Sequence, residues 1–90
     1  MVAHQSDDIA RLLEDGEELV PLVQAARQAG LRLARSTMIR WAVDGIRSED
    51  GERICIDSAR IGSIWKTTPK AVMRFIRART AQARNREVLP

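Results

Sequence analysis

Residues 36–45 read Ser36-Thr37-Met38-Ile39-Arg40-Trp41-Ala42-Val43-Asp44-Gly45. The spacing predicts a short amphipathic helix. On a helical wheel Met38, Trp41, Ala42 and Gly45 share one side, and Ser36, Arg40, Val43 and Arg47 share the opposite side. Ser36 suits the N-cap, since its hydroxyl can accept a hydrogen bond from a free N–H of the first turn. Gly45 suits a left-handed stop, after which Ile46 folds back onto the helix. Trp41 lies on the apolar side and reads as a core anchor.

Upstream, Pro21 fits the first turn of another helix. Leu22, Ala25, Ala26 and Ala29 repeat at helical spacing, and Gly30 is the stop. Its alanines allow another element to approach closely. Leu31 to Arg35 is a basic connection. The pattern is two short helices joined by a turn, the second with a basic outer face, which is the outline of a helix-turn-helix unit. The connection is longer than the tight turn of that motif. Before it, residues 1–8 read as frayed. Ile9 to Leu13 reads as a short helix capped by Asp7 or Asp8 and ended by Gly16, with Glu17 to Pro21 an extended linker.

Downstream, Ser48 to Glu52 is polar and contains Gly51, so it predicts a loop. Arg53 to Ile61 has β character. Gly62-Ser63 fits a two-residue type II′ hairpin turn, with Ile64 to Thr67 returning as the second strand. That turn sets Arg60 opposite Trp65 and Ile61 opposite Ile64. Thr68 and Pro69 then cap and start a last helix. Val72, Phe75 and Ile76 form its apolar stripe. Lys70, Arg74, Arg77, Ala81 and Arg84 make one nearly all-basic edge, and the chain is expected to fray beyond Arg84. The core expected from these elements is Leu12, Leu22, Ala25, Ala26, Met38, Trp41, Ile56, Trp65, Val72, Phe75 and Ile76.

The composition narrows the function classes. The chain has 90 residues, enough for one small domain, with 44% hydrophobic and 30% charged residues, a globular balance. Apolar runs reach only three or four residues, far short of the roughly 20 that a membrane span needs. No apolar segment of signal-peptide type opens the chain, so a cytoplasmic protein is expected. Cys55 is the single cysteine and His4 the single histidine, so neither a disulfide nor a zinc site is expected. The carboxylates cluster in the leader and one loop, and no Gly-rich phosphate loop is present. An enzyme is therefore not expected, and no cofactor is.

The net charge of +3 hides an asymmetry. Residues 1–19 carry six acids against Arg11, residues 20–67 carry eight bases against five acids, and residues 68–90 carry six bases against Glu87. A basic body thus follows an acidic leader, and 13 of the 15 bases are arginine, whose planar fork suits phosphates and guanine edges. A solvated arginine-rich surface has the same composition, so the wheel, not the charge, singles out the 36–47 segment.

The 36–45 string resembles the Ser-Thr-hydrophobic-x-Arg-Trp…Gly recognition helix of excisionase-type, MerR-like winged helix-turn-helix DNA-binding domains. Leu22-Val23-Gln24-Ala25-Ala26-Arg27 resembles their first helix. Arg60-Ile61-Gly62-Ser63 resembles the tip of their wing, and Thr67-Thr68-Pro69-Lys70-Ala71-Val72 the capped start of their last helix. A group of short uncharacterised bacterial proteins with this domain is similar in its acidic leader and Leu-Pro-Leu start, matched here by Val20-Pro21-Leu22. The likeness covers residues 9–79. Val23 departs from it where a Ser or Thr cap is common, Arg47 to Arg53 is a longer link, and Ile64 stands where a basic residue is frequent.

The resemblance implies a mainly α fold with a small β-hairpin: an acidic leader over 1–19, a winged helix-turn-helix over 20–80 and a basic, frayed tail over 81–90. It implies duplex DNA binding, as a transcription regulator or an excisionase-like recombination accessory factor. The 36–47 helix would enter the major groove through Ser36, Thr37, Arg40, Val43 and Arg47. The wing at Arg60, Gly62 and Ser63 would follow the backbone or minor groove, and Arg32, Arg35, Lys66 and Lys70 would reach phosphates. A module this small would need a homodimer or cooperative array for high specificity, or a recombinase partner. Bound to DNA, it would be nucleoid-associated. The alternative is an adaptor that keeps the winged fold and offers its basic surface to an acidic protein. The acidic leader has two candidate partners, the protein's own basic face, where it would compete with phosphate, or a partner protein; the sequence leaves open whether it is autoinhibitory or passive.

Overall fold

The computed structural model describes residues 3–47 and 51–87. The elements run α1 (Ala3–Glu14), β1 (Val20–Pro21), α2 (Leu22–Gln28), α3 (Arg35–Val43), β2 (Ile46–Arg47), β3 (Arg53–Ile54), β4 (Ala59–Ile61), β5 (Ile64–Thr67) and α4 (Pro69–Glu87). Among the described residues this makes a small mixed α/β domain of four helices, a three-stranded antiparallel sheet in the order β1-β5-β4, and a separate β2–β3 ladder.

The Gly62-Ser63 turn fixes the sheet. Arg60 pairs with Trp65 and Ile61 with Ile64, the register that the turn predicts. Gly62 has φ +67° and no described non-glycine residue has positive φ, so of the two turn positions only the first has positive φ, as a type II′ turn requires. β1 then adds to the other side of β5, with Val20 opposite Thr67 and Pro21 opposite Lys66. The last two residues of the stretch expected to be an extended linker, Val20 and Pro21, thus form an edge strand. Pro21 lacks an N–H, and an edge position is where a strand tolerates that.

α2 starts directly after Pro21, one residue later than the sequence suggests. It ends in a Schellman motif: Leu31 N donates to Ala26 O at 2.8 Å and Gly30 N to Arg27 O at 2.9 Å, with Gly30 at φ +89°. Ala25 and Ala26 are fully buried and let α2 pack against both α3 and α4. The expected N-cap at Ser36 is corrected. The helix begins at Arg35, the capping position is Ala34, and no side chain caps it.

The predicted 53–61 strand is two strands. Cys55 to Ser58 leave the ladder because their polar groups have partners elsewhere: Ile56 N donates to Trp41 O at 3.1 Å, and Thr67 Oγ1 donates to Asp57 O at 2.6 Å. β3 pairs instead with β2, Ile46 opposite Ile54 and Arg47 opposite Arg53. Within the predicted 48–52 loop, residues 48–50 lie outside the described residues.

α1 is longer than expected. It begins at Ala3, so Asp7 and Asp8 lie within the helix and do not cap it. Asp8 is buried and accepts a hydrogen bond from Arg11 Nη2 at 3.0 Å, three residues along the same face. α4 starts as predicted: Ala71 N donates to Thr68 Oγ1 at 3.0 Å, an N-cap bond. It does not fray at Arg84 but continues to Glu87, through arginines, alanines and a glutamine with high helix propensity. Of the expected 81–90 tail, residues 81–87 are therefore helical and 88–90 lie outside the described residues.

The core joins Leu12, Leu22, Ala25, Ala26, Met38, Trp41, Ile56, Val72 and Phe75 with Val20, Ala42 and Ala71. Trp65 and Ile76, also expected there, are half-buried at its margin. Trp41 and Phe75 stack at 5.1 Å between centroids with a 37° tilt, worth about 0.5–1.5 kcal/mol beyond their burial.

Candidate nucleic-acid interface

α3 presents one outward face. At about 100° per residue, Ser36, Arg40 and Val43 fall within about 60° of one another. All three are exposed, whereas Met38, Trp41 and Ala42 are buried. Thr37 and Ile39 flank the face and are half-buried. Arg35, the first helical residue, is exposed at the end that disfavours cations through the helix dipole. Arg47 is corrected: α3 stops at Val43 and Gly45 takes φ +76°, so Arg47 lies exposed on β2 and not on the helix. Arg32 is exposed in the connection between α2 and α3. None of Arg32, Arg35, Arg40 and Arg47 forms an ion pair among the described residues.

A second group sits on the β4–β5 hairpin. Arg60, Gly62 and Ser63 are exposed, and the Arg60 guanidinium lies 5.7 Å from the Trp65 ring centroid. That cation–π contact, about 0.5–1 kcal/mol at an exposed site, orients Arg60 without neutralising it. Lys66 is half-buried opposite Ala59 and Pro21. The tip carries Ile61 and Ile64, both about half exposed. α2 supports both groups, packing against α3 and against β5. Behind the hairpin, a cavity of about 330 Å³ is lined by Ile9, Leu13, Leu19, Ile61 and Trp65 among others.

Lys70 and Arg74 are engaged by residues of the leader. Lys70 Nζ donates to Asp15 O at 3.0 Å, and its backbone N–H donates to Glu17 Oε1 at the same distance. Arg74 spans two carboxylates, donating to Asp15 Oδ1 at 2.5 Å and to Asp57 Oδ2 at 2.9 Å. Arg11 grips Asp57 from the other side with bonds of 2.7 and 2.9 Å. Thr68 Oγ1 adds a 2.6 Å bond to Asp15 Oδ2. The predicted basic edge of α4 is therefore interrupted at Arg74. Burial pushes the Asp15 carboxyl up, but the bonds from Arg74 and Thr68 outweigh it, so its pKa lies below the ordinary 3.8. Asp57 behaves alike: burial raises it, and the bonds from Arg11 and Arg74 bring it below the ordinary value. The acidic leader is thus anchored in the fold, with Leu12 in the core and Asp8 and Asp15 buried.

Two arginines outside the sequence-predicted site are placed by their neighbours. Arg53 is exposed opposite Arg47. The Arg79 guanidinium lies over the Trp41 ring, 5.0 Å from its centroid. The signal for Arg53 is the mirror-image order Ile46-Arg47…Arg53-Ile54 around Gly51, which marks a ladder. Arg79 is four residues beyond Phe75 on one helix face, and Phe75 is the residue stacked on Trp41.

Cys55 is half-buried, and burial pushes its thiol pKa up, away from a reactive thiolate. Among the described residues no group of three or more His, Cys, Asp or Glu side chains is placed to hold a metal ion. Among them, too, no helix is long and apolar enough to cross a membrane.

The fold and surface define a small mixed α/β domain with arginines on one helix and on two strand ladders that form no ion pair among the described residues. Residues 21–80 match the family of proteins of unknown function DUF1580, and the chain belongs to that family. The chain matches no curated protein and no solved structure.

Proposed function

We propose that this protein is a winged helix-turn-helix module that binds duplex DNA and acts as a transcription regulator or an excisionase-like accessory factor, not as an enzyme. The observation that carries the reading is the outward face of α3: Ser36, Arg40 and Val43 together, exposed, with Arg40 free of any acidic partner among the described residues. A helix of this kind fits the major groove, where arginine can bond guanine O6 and N7 and valine can meet a thymine methyl. Arg35 at the helix start is unfavourable in the free protein, and a phosphate beside it would reverse that. The β4–β5 hairpin serves as the wing, with Arg60 braced on Trp65 toward the backbone. Lys66 and Arg32 add phosphate contacts. Lys70 contributes less than its charge suggests, because Asp15 O holds its ammonium.

Selection from a random duplex library should enrich a defined sequence, and two variants then test the assignment. Arg40→Ala should leave the melting temperature nearly unchanged, as surface substitutions do. It should cost about 1–3 kcal/mol of binding on the enriched duplex only, if Arg40 reads a guanine. A loss shared with a scrambled duplex would put Arg40 on phosphate instead. Wild-type binding of both duplexes would remove α3 from the interface. The second reading, an adaptor for an acidic protein, would then take over. One observation favours it: the hairpin tip exposes Ile61 and Ile64, apolar side chains that no phosphate engages.

A further inference from the structure

The β2–β3 ladder sets Arg47 directly opposite Arg53. Residues opposed in this way point to the same face with Cβ atoms about 4.5–5.5 Å apart, and like charges there repel. Both side chains are exposed, and neither guanidinium forms an ion pair among the described residues. The ladder is also short, two residues in each strand, so it has little pairing energy to set against that repulsion.

The pair is tied to the end of α3. Gly45 follows the last residues of that helix, and a Cβ built on it would come within 2.9 Å of Arg53 Cγ and 2.6 Å of Ile54 O. The bare glycine therefore lets the aliphatic stem of Arg53 lie against the helix terminus. The Ile56 N–H bond to Trp41 O closes the same corner from the other side. Two guanidinium groups, without an ion pair among the described residues, are thus carried on a ladder fixed to the C-terminal end of the helix that presents Ser36, Arg40 and Val43.

We infer that Arg47 and Arg53 form a two-arginine clamp for backbone phosphate, and that Arg53 is a contact residue of the interface. The inference rests on the duplex-DNA reading above. A phosphate between the two groups turns mutual repulsion into two charge-assisted contacts of the kind arginine makes best. The clamp positions the protein on the duplex and carries no base preference of its own.

The test is the salt dependence of duplex binding by the full chain, for wild type, Arg47→Gln, Arg53→Gln, the double variant and Arg53→Lys. Each phosphate contact contributes about −0.9 to the slope of log K against log salt. Each single glutamine variant should flatten the slope by about one unit and the double variant by about two, equally on enriched and scrambled duplexes. Between 50 and 200 mM salt, each lost contact removes about a threefold share of the affinity drop. Arg53→Lys should keep the wild-type slope, and none of the glutamine variants should melt below wild type, because each relieves repulsion. If wild type binds duplex with a steep slope and Arg53→Gln keeps that slope, the clamp is wrong and the DNA reading stands. If wild type itself shows no salt-dependent duplex binding, the DNA reading falls and takes the clamp with it.

Discussion

Gly45 and Gly62 both have positive φ, but they do different work. At Gly62 a Cβ would meet nothing within 4 Å, so alanine there suffers only the left-handed backbone cost, about 1–2 kcal/mol. At Gly45 the same Cβ would sit 2.5 Å from Cys55 Sγ and 2.6 Å from a backbone oxygen, so the β3 strand must also move. Gly45→Ala should therefore cost at least about 1 kcal/mol more than Gly62→Ala, since overpacking typically costs that much or more. Denaturant midpoints of the two variants check this. Equal losses would show that β3 does not press on the end of α3. Gly45 as a helix stop was legible in the sequence. The close approach that forbids any side chain was not, because it comes from residues eight to ten positions further on that are brought back by the β2–β3 ladder.

At the scale of elements, the leader is held by a buried ionic clasp that joins α1, the segment after β3 and α4. Asp57→Ala would remove the carboxylate that Arg11 and Arg74 share, leaving Arg11 with Asp8 and Arg74 with Asp15. Breaking a buried pair costs about 3–5 kcal/mol, but these arginines are 43% and 37% exposed and can rehydrate, so about 2 kcal/mol is expected. The carboxyls of Asp15 and Asp57 titrate below their ordinary value in the fold. Their contribution is fully present above about pH 4 and is lost as pH falls through the lowered values. The melting temperature should thus drop below pH 4, and that drop should be smaller in Asp57→Ala. An identical acid profile in both proteins would contradict the clasp. The anchoring also changes what the leader does. Charge alone lets it contact the basic face or a partner protein; in the fold, Asp8 and Asp15 engage Arg11, Arg74 and Lys70.

Local signals decided which elements could be read in advance. The β4–β5 register followed from Gly62-Ser63, and the α4 cap from Thr68-Pro69, since each is set by adjacent residues. The Met38, Trp41 and Ala42 face of α3 followed from helical period alone. β1 did not, because Val20-Pro21 is a strand only through pairing with Thr67 and Lys66. Arg74 looked like one base in a row; its carboxylate partners are 59 and 17 positions away. Residue type alone favours Ser36 as the cap, yet Ala34 holds that position and leaves Ser36 exposed on the outward face.

For the whole molecule, the charge that matters is the part left unpaired. Arg11, Arg74 and Lys70 are engaged internally, while Arg32, Arg35, Arg40, Arg47, Arg53 and Arg60 form no ion pair among the described residues. A single module of this size is expected to cover only about 600–1,000 Å² on DNA, so its affinity would come largely from phosphates. The most direct measurement is a salt titration of wild-type binding to a duplex. With about five phosphates neutralised, the slope of log K against log salt should lie near −4 to −5. A slope near zero, or no duplex binding at low salt, would contradict the account and leave the arginine face to a protein partner.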